Sequence, residues 1–172
     1  MEKVKLYNSI IDTNIQHKLP EAGWCTDLVQ YATYKCGIEG MISTAFLFCP
    51  EIVEVKGYIF IKQFFNCAEG KELEYLKSLE EQYQYNKKDI EMSVNSCSIG
   101  DFFVGDTREL MDDDDIISQF AHALVYFWKC RVRDLFPERN IVVELGYELM
   151  GELGLSITLY EDTSSHTGRN GI

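Results

Sequence analysis

The sequence predicts an α+β fold, an antiparallel sheet built from hairpins with helices packed on one face. Three observations support this prediction. Strand-like alternation is grouped around glycine turns, helical periodicity occupies separate blocks, and no strict strand-helix-strand alternation is present. The chain has 172 residues, 46% of them hydrophobic, and is long enough to bury a core without disulfides or metal. We therefore expect a single α+β domain over residues 1–162 and a flexible tail over residues 163–172.

The N-terminal region is predicted to be helical. Apolar residues at loosely helical spacing indicate a weak helix within residues 1–20, which ends at or before Pro20 because the residue preceding a proline avoids the α region. A second helix is expected over residues 21–36. Its apolar residues recur at helical spacing, and Gly37 stands where a glycine closes a helix.

The middle of the chain is predicted to contain strands around one helix. The aromatic run over residues 44–49, stopped by a proline, indicates a strand. Residues 51–65 alternate on both sides of Gly57 and indicate a hairpin. Leucines on one stripe predict a surface helix over residues 71–85. Residues 89–95 alternate apolar and polar side chains, which is typical of another strand.

The C-terminal half is predicted to be a long helix followed by a hairpin. Apolar side chains from Ile116 to Leu135 fall on one broad stripe. The four aspartates before them stand at the N-cap and first turn, where carboxylates interact favourably with unpaired amides and the helix dipole. Alternation over residues 140–147 and 155–160, with glycines between, predicts the two strands of the hairpin.

Charge and composition narrow the classes of function. The net charge is −12, which disfavours a protein that binds nucleic acid by neutralising phosphates. The same charge keeps a protein dissolved and attracts a basic partner. No continuous apolar segment resembles a secretory signal or spans a bilayer, so we expect no membrane association. The six cysteines form no C-x-x-C pair, which favours buried free thiols in a reducing, cytoplasmic compartment.

Motifs for cofactors and metals are missing from the sequence. It has no phosphate-binding loop, no dinucleotide-binding glycine pattern and no histidine pair at ligand spacing. The aspartate run at residues 112–115 lacks the alternating order of a calcium-binding EF-hand loop. We therefore predict no cofactor and no metal, and helix capping explains the run better.

The sequence offers one nucleophilic combination, Cys97 with His122 as its base. Cys97 lies between serines and has the least buried surroundings of the six cysteines. His122, however, falls opposite the apolar stripe of the long helix and is expected to face solvent. Such loose combinations arise readily by chance, so the sequence predicts no catalytic residue.

Acidic residues concentrate before the long helix. Residues 101–115 hold seven acids and one base, Arg108, so their charge of −7 + 1 = −6 is half the net charge. The acids are Asp101, Asp106, Glu109, Asp112, Asp113, Asp114 and Asp115. The favoured interpretation is a solvated loop before a helix. The alternative is a docking surface for a basic partner, with the interleaved apolar residues supplying contact area.

Arg131 falls within the apolar stripe of the long helix. The favoured interpretation is that its aliphatic stem covers the core while the guanidinium reaches water. The alternatives are a buried ion pair with a strand carboxylate such as Glu144, or a ligand-binding cation in a pocket.

Three segments resemble small acidic bacterial proteins of unknown function, some of which are immunity proteins that neutralise toxins of competing strains. They are Ala45-Phe-Leu-Phe-Cys-Pro-Glu-Ile-Val-Glu-Val-Lys-Gly-Tyr-Ile-Phe, Phe127-Trp-Lys-Cys-Arg-Val-Arg-Asp-Leu-Phe-Pro-Glu-Arg-Asn and Ser156-Ile-Thr-Leu-Tyr. The resemblance lies in the order of strand, helix and strand and carries no catalytic residue.

Together these features predict a non-enzymatic, cytoplasmic binding protein, and the resemblance implies an immunity-like protein that engages a basic protein partner. Two alternatives stay open. The chain could be a small enzyme or ligand-binding domain with a pocket between sheet and helices, or a homo-oligomer that associates through an aromatic surface.

Overall fold

The computed structural model describes residue 5 and residues 7–20, 25–104 and 109–164. Within these ranges helices and antiparallel strands occupy separate blocks, which confirms the predicted α+β class. The strands form one sheet of two strands and one of three. The predicted tail lies outside the described residues from residue 165 onward.

The N-terminal region contains a 3₁₀ segment and two helices. The weak helix predicted there is the 3₁₀ segment Thr13–Lys18, while residues 1–4, 6 and 21–24 lie outside the described residues. Helix α1 (Leu28–Lys35) begins at Asp27, whose carboxylate accepts a hydrogen bond from the backbone N–H of Gln30. Gly37 follows with a φ of +62°, as expected for a glycine that closes a helix.

The strand predicted over residues 44–49 is wrong, because these residues complete helix α2 (Gly37–Phe48). Their aromatic side chains suit a strand locally, but they continue the apolar spacing that begins at Ile38. Tertiary contacts then decide the conformation. Phe48 packs on Phe127, and the carbonyl of Leu47 accepts a 3.0 Å hydrogen bond from the indole of Trp128.

The hairpin predicted over residues 51–65 is confirmed. Strands β1 (Ile52–Val55) and β2 (Tyr58–Ile61) pair antiparallel, with Val55 opposite Tyr58. The two turn residues, Lys56 and Gly57, both have positive φ, at 49° and 83°. Positive φ at both positions gives a turn whose twist matches that of the strands, so a Lys-Gly pair serves here as Asn-Gly often does.

The middle of the chain holds two helices, of which the sequence predicted one. Helix α3 (Glu72–Gln82) is confirmed, whereas the strand predicted over residues 89–95 is wrong and is helix α4 (Lys87–Asn95). The alternation of apolar and polar residues predicted a strand with its apolar side chains buried and its polar side chains exposed. The buried side chains of α4 are instead Ile90, Glu91, Val94 and Asn95, which share one helical face.

The C-terminal half follows the sequence closely. Helix α5 (Asp114–Leu135) is capped by an aspartate, as predicted. Strands β4 (Ile141–Tyr147) and β5 (Leu155–Glu161) form the expected hairpin, and the short strand β3 (Cys97–Ser98) pairs with the other edge of β5. The remaining 3₁₀ segments are Ile99–Phe103, Glu109–Asp112 and Leu149–Gly151.

Two apolar clusters lie on opposite faces of β2. Ile59 and Ile61 join the cluster formed with α5 and β5, while Phe60 points into the cluster formed with α3 and α4. Successive side chains of a strand point to opposite faces. Helices therefore lie on both faces of β2, with α5 on one face and α3 together with α4 on the other.

Asn95 joins the two sheets at a seam where no strand pairing exists. It is fully buried, and its amide nitrogen donates to the carbonyls of Ile59 on β2, at 2.9 Å, and Leu159 on β5, at 3.0 Å. Its amide oxygen accepts from the N–H of Ile61 at 2.8 Å. One side chain thus satisfies three backbone groups at edges that would otherwise lack partners.

Glu91, one helical turn earlier, closes the same seam. Its carboxylate is fully buried and accepts the N–H of Ile59 at 2.9 Å and the N–H of Glu161 at 2.7 Å. Spacing of i and i+4 places Glu91 and Asn95 on one side of α4. The seam between β2 and β5 is therefore held by two side chains of a helix.

Candidate functional site

Four of the seven acidic residues predicted to meet a partner lie at the start of α5. We call residues Asp112–Asp115 the acidic turn. Asp101 lies in the 3₁₀ segment Ile99–Phe103 and is exposed. The exposed members of the acidic turn are Asp112, Asp114 and Asp115. Asp106 lies outside the described residues, and Glu109 belongs to a 3₁₀ segment in which only its backbone is described.

Asp113 has a structural role within the acidic turn. Its carboxylate accepts the N–H groups of Asp115, at 3.0 Å, and Ile116, at 3.2 Å, and so caps α5. The same carboxylate accepts a 2.9 Å hydrogen bond from Lys18, which holds the pKa of Asp113 below its usual value. One of the four aspartates is thus used by the fold.

Lys18 also contacts a second carboxylate of the acidic turn. Its ammonium group lies 2.6 Å from an oxygen of Asp115 and 2.9 Å from one of Asp113, and these bonds raise its pKa. The side chain of Asp115 is nevertheless 78% exposed. The acidic turn therefore already holds one cation and still presents carboxylate to solvent.

The aromatic residues interleaved with the acids face the protein. The rings of Phe102 and Phe103 pack on Phe120 of α5, with centroid distances of 5.9 Å and 4.8 Å. Phe102 and Phe103 thus anchor the acidic segment to α5. Leu110 and Met111, the other apolar residues interleaved with the acids, are half-buried.

An apolar groove of about 580 Å³ lies beside the acidic turn. Its walls come from the chain before α1, from α1, from the 3₁₀ segment Glu109–Asp112 and from α5. Residues of these walls include Leu19, Pro20, Tyr31, Met111, Ile117 and Phe120. The groove differs from the pocket predicted between sheet and helices, and Arg131 is not among its lining residues.

Two carboxylates at the seam have pKa values displaced in opposite directions. Burial raises the pKa of Glu91, whereas the hydrogen bond from Arg139 is the main cause that lowers the pKa of Glu161 to about 2. Such a pair is the kind that acid-base enzymes use. Here the Glu91 carboxylate is fully buried and accepts two backbone N–H groups, so its position serves the fold.

Arg139 ties β5 to the β1–β2 hairpin. Its guanidinium donates to both oxygens of Glu161, at 3.0 Å and 2.7 Å, in a bidentate pair. It also donates to the Glu54 carboxylate at 2.9 Å and to the Gly57 carbonyl at 2.7 Å. Lys87 of α4 donates to Glu161 as well. These ion pairs continue the contacts between the β1–β2 hairpin and β5 from the buried seam toward the surface.

The combination of Cys97 and His122 is not brought together as a reactive pair. Cys97 was predicted to be the least buried cysteine, but it is the one buried thiol among the six, with 9% exposure. Its serine neighbours are half-buried, whereas its own side chain turns into the core. Burial raises its pKa to about 12. His122 is exposed and bonds within α5 to the carbonyl of Ser118 at 2.8 Å.

The cysteines are all free, as predicted, but they are not all buried. Cys36 and Cys49 are exposed, and the other three are intermediate. We expect iodoacetamide at about pH 8 to modify Cys36 more than about a hundredfold faster than Cys97, because only the thiolate reacts. Mass spectrometry of the native protein measures both rates. Comparable rates would contradict the burial of Cys97, and unfolded protein serves as the control in which both thiols react.

Arg131 is half-buried on α5, and its Nε atom is buried without a hydrogen-bond partner among the described residues. The proposed ion pair with Glu144 is not formed. Glu144 instead accepts a 3.0 Å hydrogen bond from the hydroxyl of Tyr160. The stem of Arg131 thus covers part of the core, and the Nε atom of its guanidinium does not reach water.

Sequence reasoning missed the two most unusual side chains of the fold, Glu91 and Asn95. A signal was present, because both share a helical face with Ile90 and Val94. It was overlooked because the same residues also alternate as a strand does. Across the described ranges, no group of three or more acidic, cysteine or histidine side chains is placed to hold a metal ion.

No protein-family model, curated protein or solved structure matches the chain. None of the described helices has the length and apolar character needed to cross a bilayer.

Proposed function

We propose that this chain is a non-enzymatic, cytoplasmic binding protein that engages a basic protein partner through Asp101 and the acidic turn. The observation that carries the proposal is that some carboxylates are bonded within the fold while others are exposed to solvent. Asp113, Glu91 and Glu161 bond to backbone or to cations within the fold. Asp112 and Asp114 are exposed at the start of α5, and Asp115 is 78% exposed although one of its oxygens contacts Lys18. These three carboxylates can meet charges from outside.

The electrostatic field supports such a role. A net charge of −12 attracts a cationic protein from a distance, and concentrated charge directs it to one end of the molecule. Opposite charges mainly accelerate the encounter of two proteins and select the partner. This mode of action agrees with the resemblance to small acidic bacterial proteins, some of which are immunity proteins that neutralise toxins.

The proposal is tested by affinity capture from native lysate on the full chain, with elution by increasing salt. Replacing Asp112, Asp114 and Asp115 with asparagine is expected to weaken partner binding by about tenfold to a hundredfold, because three charges are lost where the partner docks. Asp113 is retained so that α5 keeps its cap. Titration calorimetry with the purified partner measures the change.

A matched control changes the charge equally at another place. Glu69, Glu74 and Glu81 are exposed acids within or just before α3. Replacing these three with glutamine is expected to reduce affinity by less than about threefold, through the mean field alone. Equal losses in the two triple variants, or binding that does not weaken with salt, would contradict the assignment of the acidic turn.

A further inference from the structure

The N-terminal segment of residues 12–20 lies on the acidic turn with few contacts. None of the residues of its 3₁₀ segment, Thr13–Lys18, is buried. Its hydrogen bonds to α5 are those of Lys18 and a 3.2 Å bond from the N–H of Asp12 to the side chain of Gln119. A segment held mainly by exposed polar contacts detaches at little cost in free energy.

The order of residues in this segment is informative. Lys18 enters the acidic turn, and the next two residues, Leu19 and Pro20, form part of the wall of the apolar groove. The chain itself therefore shows that the acidic turn accepts an ammonium group directly beside the apolar groove.

The surface around Lys18 includes an open groove beside the N-terminal segment. The groove encloses about 580 Å³ beside Leu19 and Pro20, between side chains that include Tyr31, Met111 and Phe120. Asp112 follows Met111 directly and is exposed. An apolar cleft beside carboxylates is complementary to a segment that alternates cations with apolar side chains.

We propose that the acidic turn and the apolar groove together bind a basic segment of a partner protein, in which Lys or Arg is followed by apolar residues. This segment displaces Lys18 from Asp113 and Asp115. The inference rests on the proposed function and adds the nature of the partner segment. Lys18 competes with the partner segment for these two carboxylates. Only a segment that has both the cation and the apolar residues therefore replaces it.

The test uses the full chain and a dansyl-labelled peptide of sequence Lys-Leu-Pro-Lys-Leu-Pro. Replacing Lys18 with methionine is expected to tighten peptide binding by about threefold to tenfold, because the competing ammonium group is removed. The control variant Lys62→Met changes the net charge equally at an exposed lysine elsewhere and is expected to leave the affinity within about twofold. Fluorescence anisotropy measures binding, and circular dichroism verifies that each variant is folded.

Two further peptides separate charge from apolar contact. The peptides Glu-Leu-Pro-Glu-Leu-Pro and Lys-Ser-Pro-Lys-Ser-Pro are each expected to bind at least about fivefold more weakly than the first. Equal binding of the serine peptide would show attraction by charge alone and would overturn the role of the groove.

Replacing Asp115 with asparagine gives a test that does not depend on the Lys18 variant. This change is expected to weaken binding of the first peptide by about threefold. Unchanged affinity in both Lys18→Met and Asp115→Asn would overturn the inference. If the captured basic partner still bound in a salt-dependent manner, the proposed function would stand without this mode of binding.

Discussion

Replacing Asn95 with leucine is expected to lower the free energy of unfolding by about 4 kcal/mol, a large share of the stability of an ordinary domain. Leucine has as many side-chain heavy atoms as asparagine and a similar branched shape, so the substitution leaves no cavity. The loss comes from three buried backbone groups, on Ile59, Ile61 and Leu159, that lose their partner. Each buried group left unpaired costs about 1–3 kcal/mol.

Denaturant unfolding followed by circular dichroism measures this loss. The control is Asn140→Ala, at an exposed residue near the start of β4, which is expected to change stability by less than about 0.5 kcal/mol. A loss below about 1 kcal/mol for Asn95→Leu would show that the seam between the sheets does not depend on this side chain.

Replacing Glu161 with glutamine is expected to lower stability by about 2 kcal/mol near neutral pH, because Arg139 and Lys87 lose their shared carboxylate. The pKa of Glu161 is lowered to about 2, mainly by the hydrogen bond from Arg139. A lowered pKa stabilises the folded protein above the unfolded value of 4.5, and this stabilisation is lost as the pH falls toward 2.

The difference between wild type and Glu161→Gln is therefore expected to shrink as the pH is lowered from about 5 to about 2. Glu91, whose pKa is raised by burial, acts with the opposite sign, and it is present in both proteins. Urea unfolding across this range measures the difference. Glu138→Gln, at an exposed acid, is the control expected to show little dependence. A difference that stays constant with pH would contradict the lowered pKa of Glu161.

The elements that the sequence predicted correctly are those whose local signals agree with one another. In α5 the capping aspartate, the apolar stripe and the length all indicate the same helix. In the β1–β2 hairpin, alternation and Gly57 indicate the same turn. Agreement among local preferences is what makes such segments predictable.

The wrong predictions concern segments whose local sequence signals conflict or whose conformation depends on contacts with distant residues. Helix α2 ends in an aromatic run that suits a strand, and its conformation is decided by packing on Trp128 and Phe127 of α5. Helix α4 was misassigned because polar side chains were assumed to face water. Glu91 and Asn95 are buried since the edges of β2 and β5 require partners, a need that appears only in three dimensions.

The candidate site was predicted in part. Local spacing was enough to place an aspartate at the cap of α5, and Asp113 fills that position. The contact with Lys18 could not be predicted, because 95 residues separate it from Asp113. The apolar groove likewise arises from segments distant in the sequence. Local patterns thus identified the acidic residues, while the tertiary fold determines which of them remain exposed.

The central claim is that the exposed aspartates at the start of α5 meet a cationic protein surface. The most direct measurement is the association rate constant of the captured partner, followed by stopped-flow fluorescence between about 50 mM and about 500 mM salt. We predict that added salt slows association with the wild-type chain steeply, and slows association with the Asp112, Asp114 and Asp115 variant much less. Rate constants that are equal for both proteins and independent of salt would contradict the claim.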